Sequence, residues 1–319
     1  MKSIRIATLG SPDDYRQSLL PIIAHNLGYQ LNWVHPKESD ILVLGPFANP
    51  NPKKNMGWCP KPLRPVIWTM QERLLNVLSP RRAPPITVFQ TAENLRHDYI
   101  GANYAISFDL NVKSSTHFRL PYWMEMLNWS HEGIIGNQNP RYGRLLEIDR
   151  LTKPLGNRFL NKPRQAAFLS SHLREPRKTL FGAVNLALPV KGFGAYFDKN
   201  IKNHHLSSFL KFDLLQDFAF NLCPENGMYP GYYTEKIPEA FFADCLPITW
   251  AENSIHVDFN PKAFINLAPL TWCNYEPLKE LLYSPRLLNE YAEQPLFLKA
   301  PSILPFKAFV KCLCEDVSS

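Results

Sequence analysis

The stretch FNLCPENGMYPGYYTEKIPEAFFADCLPITW, residues 220–250, admits few local structures. Residues 218–223 are apolar enough for a strand at the centre of a sheet. Pro238 has no backbone N–H and is accepted only in the first turn of a helix, so a helix must begin near residues 234–237. It runs to about Asp244, Leu246-Pro247 ends it, and residues 248–250 begin the next strand. Strand, loop, helix and strand in so short a space make an α/β unit. In open α/β sheets ligands sit outside the carboxyl ends of the strands, which is where this loop puts Glu225, Asn226, Tyr232, Glu235 and Lys236. A lysine in the first turn opposes the helix dipole unless an anion receives both, and a phosphate is the natural candidate. A threonine cap followed by an acid and a solvated lysine is the alternative that spacing leaves open.

The rest of the chain keeps that rhythm. Residues 4–9 read as a buried strand, 15–27 as helical, 31–34 and 41–44 as extended, and 65–68 and 86–90 as further strands after a proline-rich connection over 46–65. Residues 151–164, LTKPLGNRFLNKPR, lose periodicity and carry two Lys-Pro pairs, the composition of a linker. The expected organisation is a domain over 1–150, a linker over 151–164 and a second domain over 165–319. The second begins with a strand at 166–171 and a helix after Arg177. A chain of 319 residues, 45% of them hydrophobic, can supply both cores.

The net charge of +7 comes from 35 Lys and Arg scattered along the chain, without zinc-finger spacing or an RNP-like motif. Nucleic acid is therefore not an expected partner, whereas a phosphorylated small molecule or an anionic membrane surface fits the charge. The six cysteines, Cys59, Cys223, Cys245, Cys273, Cys312 and Cys314, form no paired CxxC pattern and read as free thiols in a reducing cytoplasm. No segment has the apolar core of a signal peptide or the roughly twenty apolar residues of a membrane span. His204-His205 does not read as a metal pair, because adjacent side chains diverge on a strand or a helix.

Taken with VDFNPKAFINL at 257–267, the segment PENGMYPGYYTEKIPEAFFADCLPITW resembles the donor-domain signature of the α1,3/4-fucosyltransferases, glycosyltransferase family 10, and most of all its soluble bacterial members. Gly227 and Pro224 stand where the family pattern has Ser and Phe. Upstream, SSHLREPRKTLFGAVN at 170–185 is similar to the segment in which an Arg ahead of a helix binds the donor diphosphate. Spacing favours Arg177, with Arg174 as its rival, and a guanidinium suits the task because its fork pairs two phosphate oxygens. VFQTAENLRHDYIGANYAISFD at 88–109 resembles the acceptor-domain stretch in which a Gly-Glu-Asn follows a strand; it puts the general base on Glu93, with Ala92 in place of the Gly.

The resemblance implies a GT-B architecture, two facing Rossmann-like domains, with the acceptor domain first and the GDP-fucose domain second. It implies inverting transfer of L-fucose from GDP-β-L-fucose to a saccharide hydroxyl, the 3-OH of a GlcNAc-type residue, in glycan or lipopolysaccharide biosynthesis. Glu93 would take the acceptor proton, Arg177, Lys236 and the helix N-terminus would meet the diphosphate, Asn226, Tyr232 and Glu235 would hold ribose and fucose, and Glu225 would belong to the GDP-fucose site. Tyr122 and Trp123 in RLPYWMEMLNW are candidates for stacking on the acceptor sugar, against a core role. No D-x-D motif occurs in the chain, so the expectation is no metal and no cofactor, GDP-fucose being the donor substrate. The C-terminal FKAFVKCLCEDV puts Phe306, Phe309, Val310 and Leu313 on one helical face beside Lys307 and Lys311. Docking on the protein's own surface and peripheral attachment to a membrane bearing a lipid-linked acceptor are the two readings of that face. The alternatives to fucosyl transfer are another nucleotide sugar or a non-catalytic carbohydrate-binding protein. The joint presence of Glu93, Arg177 and Lys236 speaks against the latter.

Overall fold

The computed structural model describes residues 2–48, 84–198, 210–268 and 275–318, in two compact units. The first comprises Met1–Ser107, Asn111–Leu120 and Leu304–Ser319, the second Phe108–Leu110 and Pro121–Ile303.

In the first unit β1 (Lys2–Leu9), β2 (Tyr29–Trp33), β3 (Ile41–Leu44), β4 (Ile86–Gln90), β5 (Tyr104–Ser107) and β6 (His117–Arg119) form a parallel sheet in the order β2-β1-β3-β4-β5-β6. Ile4, Ile6, Val43, Val88 and Phe89 are buried in it, as expected where a parallel sheet is covered on both faces. Helix α1 (Leu19–Asn26) follows a 3-10 turn over Tyr15–Gln17. The single helix expected over 15–27 is thus broken at Ser18, whose extended backbone (φ −74°, ψ 158°) resets the chain so that Pro21 falls in a first turn. The strand expected at 65–68, the connection before it, Cys59, Cys273 and His204-His205 lie outside the described residues.

The second unit holds α2 (Ile148–Leu151), β7 (Ala166–Leu169), α3 (Arg177–Ala187), β8 (Val190–Phe193), α4 (Lys211–Leu215), β9 (Phe220–Leu222), α5 (Lys236–Phe242), β10 (Leu246–Thr249), β11 (Ile265–Asn266), α6 (Glu276–Tyr283) and α7 (Pro285–Ala292). Its strands are parallel in the order β11-β10-β9-β7-β8. The chain leaves β7 for β8 on one side and returns as β9 on the other, so the carboxyl ends of β7 and β9 form the topological switch point where open sheets take ligands. The opening stretch folds as expected with one shift: Leu246-Pro247 starts the strand rather than only ending the helix. Leu246 and Ile248 bond toward β9, which turns Pro247 toward β11. That strand pairs only Ile248 and Thr249, so no ladder bond is missed.

The 151–164 segment is not a linker in the structure. Leu151, Leu155 and Phe159, four residues apart, are buried, and Leu155 N donates to Gln294 O at 3.0 Å while Phe297 N donates to Leu151 O at 2.9 Å. The Lys-Pro pairs interrupt local periodicity, but the apolar spacing ties the segment into the second unit, and the division falls at 120/121 instead. The last helix, α8 (Leu304–Ser318), belongs to the first unit and packs on α1 and β1. Phe306, Val310 and Leu313 are fully buried there. The apolar face considered for membrane attachment is therefore covered by the protein itself. Among the described residues no helix is long and apolar enough to cross a membrane.

Candidate active site

Cys223, just after β9, donates its N–H to Ile248 O, and the loop that follows lies on Phe108, whose ring meets Tyr232 at 4.9 Å and Tyr229 at 6.1 Å between centroids. Gly231 permits that approach: its φ is +81°, and a Cβ there would stand 2.6 Å from Phe108 O. The chain then turns into α5, with Glu235 at its N-cap position.

Glu225 organises the loop from a buried position. One carboxylate oxygen accepts from Thr234 N at 2.9 Å and from Thr234 Oγ1 at 2.6 Å; the other pairs with Lys236 Nζ, which also donates to Thr234 Oγ1 at 2.8 Å. The anion that a first-turn lysine calls for is thus supplied by the protein. Lys236 is thus fixed in place by an internal carboxylate, and Glu225, at 3% exposure, spends its oxygens as a strut within the loop.

Glu235 faces the other way. Its side chain is 22% exposed, and Lys211 Nζ lies 4.0 Å from its Oε1. Lys211, at the head of α4, pairs with Glu239, whose Oε1 also accepts from Asn139 Nδ2 at 2.9 Å. Burial alone would raise Glu235, but Lys236 and Lys211 overrule it and hold the carboxyl down at about 2. Burial, with the charge of Glu235 beside it, pushes Glu239 the other way despite Lys211. Burial and the charges of Glu235 and Glu125 also raise the Tyr122 hydroxyl above its ordinary value.

Arg177 opens α3 just beyond β7. It is buried at 7% exposure and donates from Nη1 to Ser170 Oγ at 3.1 Å, with His172 Nε2 at 3.3 Å. Arg174 is exposed. The loops after β7 and β9 leave adjacent parallel strands, so the Arg177 and Glu225–Lys236 groups share the switch point of one sheet. Asn226 is exposed in that loop, and Tyr232 is buried. Trp123 sits between Phe259 and Phe297, at 5.5 and 5.2 Å, and is buried. Its ring faces are taken by the protein's own aromatics, a core role and not a sugar platform; half-buried Tyr122 keeps some exposure. Glu93 stands in the first unit beyond β4, its backbone N–H held by Thr91 Oγ1 at 3.0 Å.

Sequence reasoning missed Lys211, Glu239, Thr234 and the Ser170-His172 pair. Glu239 had a signal, a carboxylate one turn after Glu235 on a helix otherwise apolar on that side. Lys211 had none, being brought to Glu239 only by the packing of α4.

Residues 159–288 match the family model described as glycosyltransferase family 10 (fucosyltransferase), C-terminal. The alpha-(1,3)-fucosyltransferase FucT of Helicobacter pylori is 30% identical over 200 residues, 56% of this chain. The match spans 40% of that protein, so the chain covers less than half the length of this relative. A crystal structure of an alpha1,3-fucosyltransferase with GDP-fucose superposes with a TM-score of 0.64 at 22% identity, over 99% of this chain and 91% of the other. A second alpha1,3-fucosyltransferase structure gives 0.65 at 23%, over 98% and 90%. At such identities these structures establish the fold, and the matched segment contains both loops of the switch point. Residues 159–288 thus carry the likeness of this chain to glycosyltransferase family 10.

Proposed function

We propose that the chain is an inverting fucosyltransferase that moves L-fucose from GDP-β-L-fucose to a saccharide hydroxyl, the 3-OH of a GlcNAc-type residue, on a free or lipid-linked glycan in glycan or lipopolysaccharide assembly. The supporting observation is the placement of Arg177 and the Glu225–Thr234–Lys236 cluster at the β7/β9 switch point inside the family-matched segment. A departing nucleoside diphosphate gains negative charge as the glycosidic bond breaks, and cations already fixed in place stabilise that charge without reorganising. The helix of α5 is only seven residues long, so the two side chains carry this task more than its dipole does. Glu235, held ionised and partly exposed, is an acceptor for ribose or fucose hydroxyls, as is Asn226, exposed in the same loop.

In the single displacement, the acceptor oxygen bonds to C1 of fucose from the face opposite GDP. The C1–O bond to the diphosphate breaks, and Glu93 takes the acceptor proton. A β-linked donor therefore yields an α-linked product. The test is a panel of nucleotide sugars with a GlcNAc-terminated acceptor, read by mass spectrometry and by NMR of the anomeric proton. Transfer from GDP-fucose alone, giving an α linkage, is the expected result; faster transfer from a UDP-sugar would replace this donor assignment. Glu93→Gln should lower transfer by about 10²–10⁴-fold while GDP affinity holds, and an equal loss of GDP binding would remove Glu93 from the role of base.

A further inference from the structure

Among the described residues, Lys211 forms its ion pairs with carboxylates far along the chain. It heads α4, where a cation opposes the helix dipole, and its side chain is only 13% exposed. What holds it is docking: Lys211 N donates to Arg141 O at 3.1 Å and Phe212 N to Tyr142 O at 3.3 Å, while Arg144 lies over the Phe212 ring at 4.1 Å. The ammonium is delivered between two carboxylates that stand one helical turn apart, pairing with Glu239 and lying 4.0 Å from Glu235. Glu239 is itself fixed, by Asn139 Nδ2 on its carboxylate and by Tyr142 OH on its backbone carbonyl at 2.7 Å.

We infer that Lys211 is a positioning residue for the donor site: it cancels the buried charge of Glu239, so that Glu235 stays ionised and in place to accept hydroxyls of the nucleotide sugar. Two carboxylates at i and i+4 in a poorly solvated site cannot both stay charged unless a cation lies between them. Lys236 also acts on Glu235, but its ammonium is bonded to Glu225 and Thr234, and it is Lys211 that pairs with Glu239. The other groups that act on this cluster do not replace Lys211. Tyr122 is a neutral phenol beside Glu235, Arg141 acts on Tyr122, and Cys223 is a buried thiol whose pKa is raised. The inference rests on the donor role proposed for Glu235.

Lys211→Met should therefore raise KM for GDP-fucose by about ten- to a hundredfold, the loss expected for a charge-assisted hydrogen bond, with a smaller change in kcat. The acid limb of kcat/KM should move to higher pH, since the carboxylate pair would then hold a proton. Adding Glu239→Gln to Lys211→Met removes the like charge and should return both KM and the pH limb toward wild type, which a merely structural lysine would not permit. If Lys211→Met is too unstable to assay, the double variant and Glu239→Gln alone decide: both should keep a near wild-type KM with the acid limb unshifted or lower. A wild-type KM and pH profile in Lys211→Met, or failure of rescue in a double variant that melts like wild type, overturns the assignment. A wild-type chain whose melting does not respond to GDP overturns the donor reading and this assignment with it, so the two failures are told apart.

Discussion

Arg174 and Arg177 lie three residues apart and meet different surroundings: one is exposed, the other buried beside Ser170 and His172. A buried guanidinium fixed by hydrogen bonds to Ser170 and His172 meets an incoming anion in a less screened setting than an exposed one does. Arg177→Ala should therefore cut kcat/KM for GDP-fucose on the order of 10²-fold, with Arg174→Ala close to wild type; the reverse order, measured by initial rates, would move the diphosphate contact to Arg174. Glu235 makes a second residue-scale expectation. Its carboxyl ionises more readily folded, at about 2, than unfolded, at about 4.3. Its stabilisation is thus present above about pH 4.3 and is lost as pH falls toward 2. Glu239 is shifted upward and has the opposite sign, so the readout is the difference in Tm between wild type and Glu235→Gln. That gap should close between about pH 5 and 2, and a gap that stays constant would show that the two lysines do not stabilise the charged form.

At the scale of the element, α5 is short and is held at both ends by side chains. Glu225 ties its start through Thr234 and Lys236. Its end turns at Asp244, a non-glycine residue in the left-handed region at φ 54°, where Arg150 Nη2 and Arg158 Nη1 reach its carboxylate at 2.7 and 3.1 Å. Lys162 Nζ closes the last carbonyls, Ala243 O at 2.9 Å and Asp244 O at 2.8 Å. Asn accepts left-handed backbone better than Ala does. Asp244→Asn should therefore lose only the charge, and Asp244→Ala should lose charge and backbone preference together, about 1 kcal/mol more. Equal melting temperatures for the two variants would show that the backbone conformation carries no cost here.

At the scale of the whole molecule, the chain returns at its end to the first unit. Phe306 is fully buried against Phe118, 5.0 Å between ring centroids, and Tyr104 OH pairs with Asp316 farther along α8. Phe306→Ala should cost about 3–5 kcal/mol by opening a cavity, and a loss below about 1 kcal/mol in denaturant unfolding would mean that α8 is loosely attached. Nucleotide binding is the complementary test on the second unit. With no D-x-D motif in the sequence and two placed cations at the switch point, GDP should raise Tm in the presence of EDTA by mass action, and UDP should do so far less. A shift seen only with Mn²⁺ or Mg²⁺ present would hand the diphosphate to a metal ion instead.

What the sequence determined by itself was local and periodic. Pro238 and the apolar runs around it set the strand, loop, helix and strand of residues 220–250, and the motif over 224–250 with 257–267 carried the family resemblance, because both are encoded in neighbours along the chain. Spacing to α3 favoured Arg177 over Arg174 as the diphosphate contact, while which of the two is buried was decided by packing beside Ser170. Four outcomes came only from the tertiary structure. The 151–164 segment joined the second unit, since Leu151 and Leu155 find their partners at Phe297 and Gln294, and Phe159 at Phe220, rather than nearby. Trp123 became core because Phe259 and Phe297 arrive from far along the chain. Glu225, expected to face ligand, turned to Lys236, and Lys211 came to Glu239 and Glu235 from a helix that no motif marks. In each case the deciding quantity is the free energy of a buried apolar or charged group, which depends on what long-range packing places beside it.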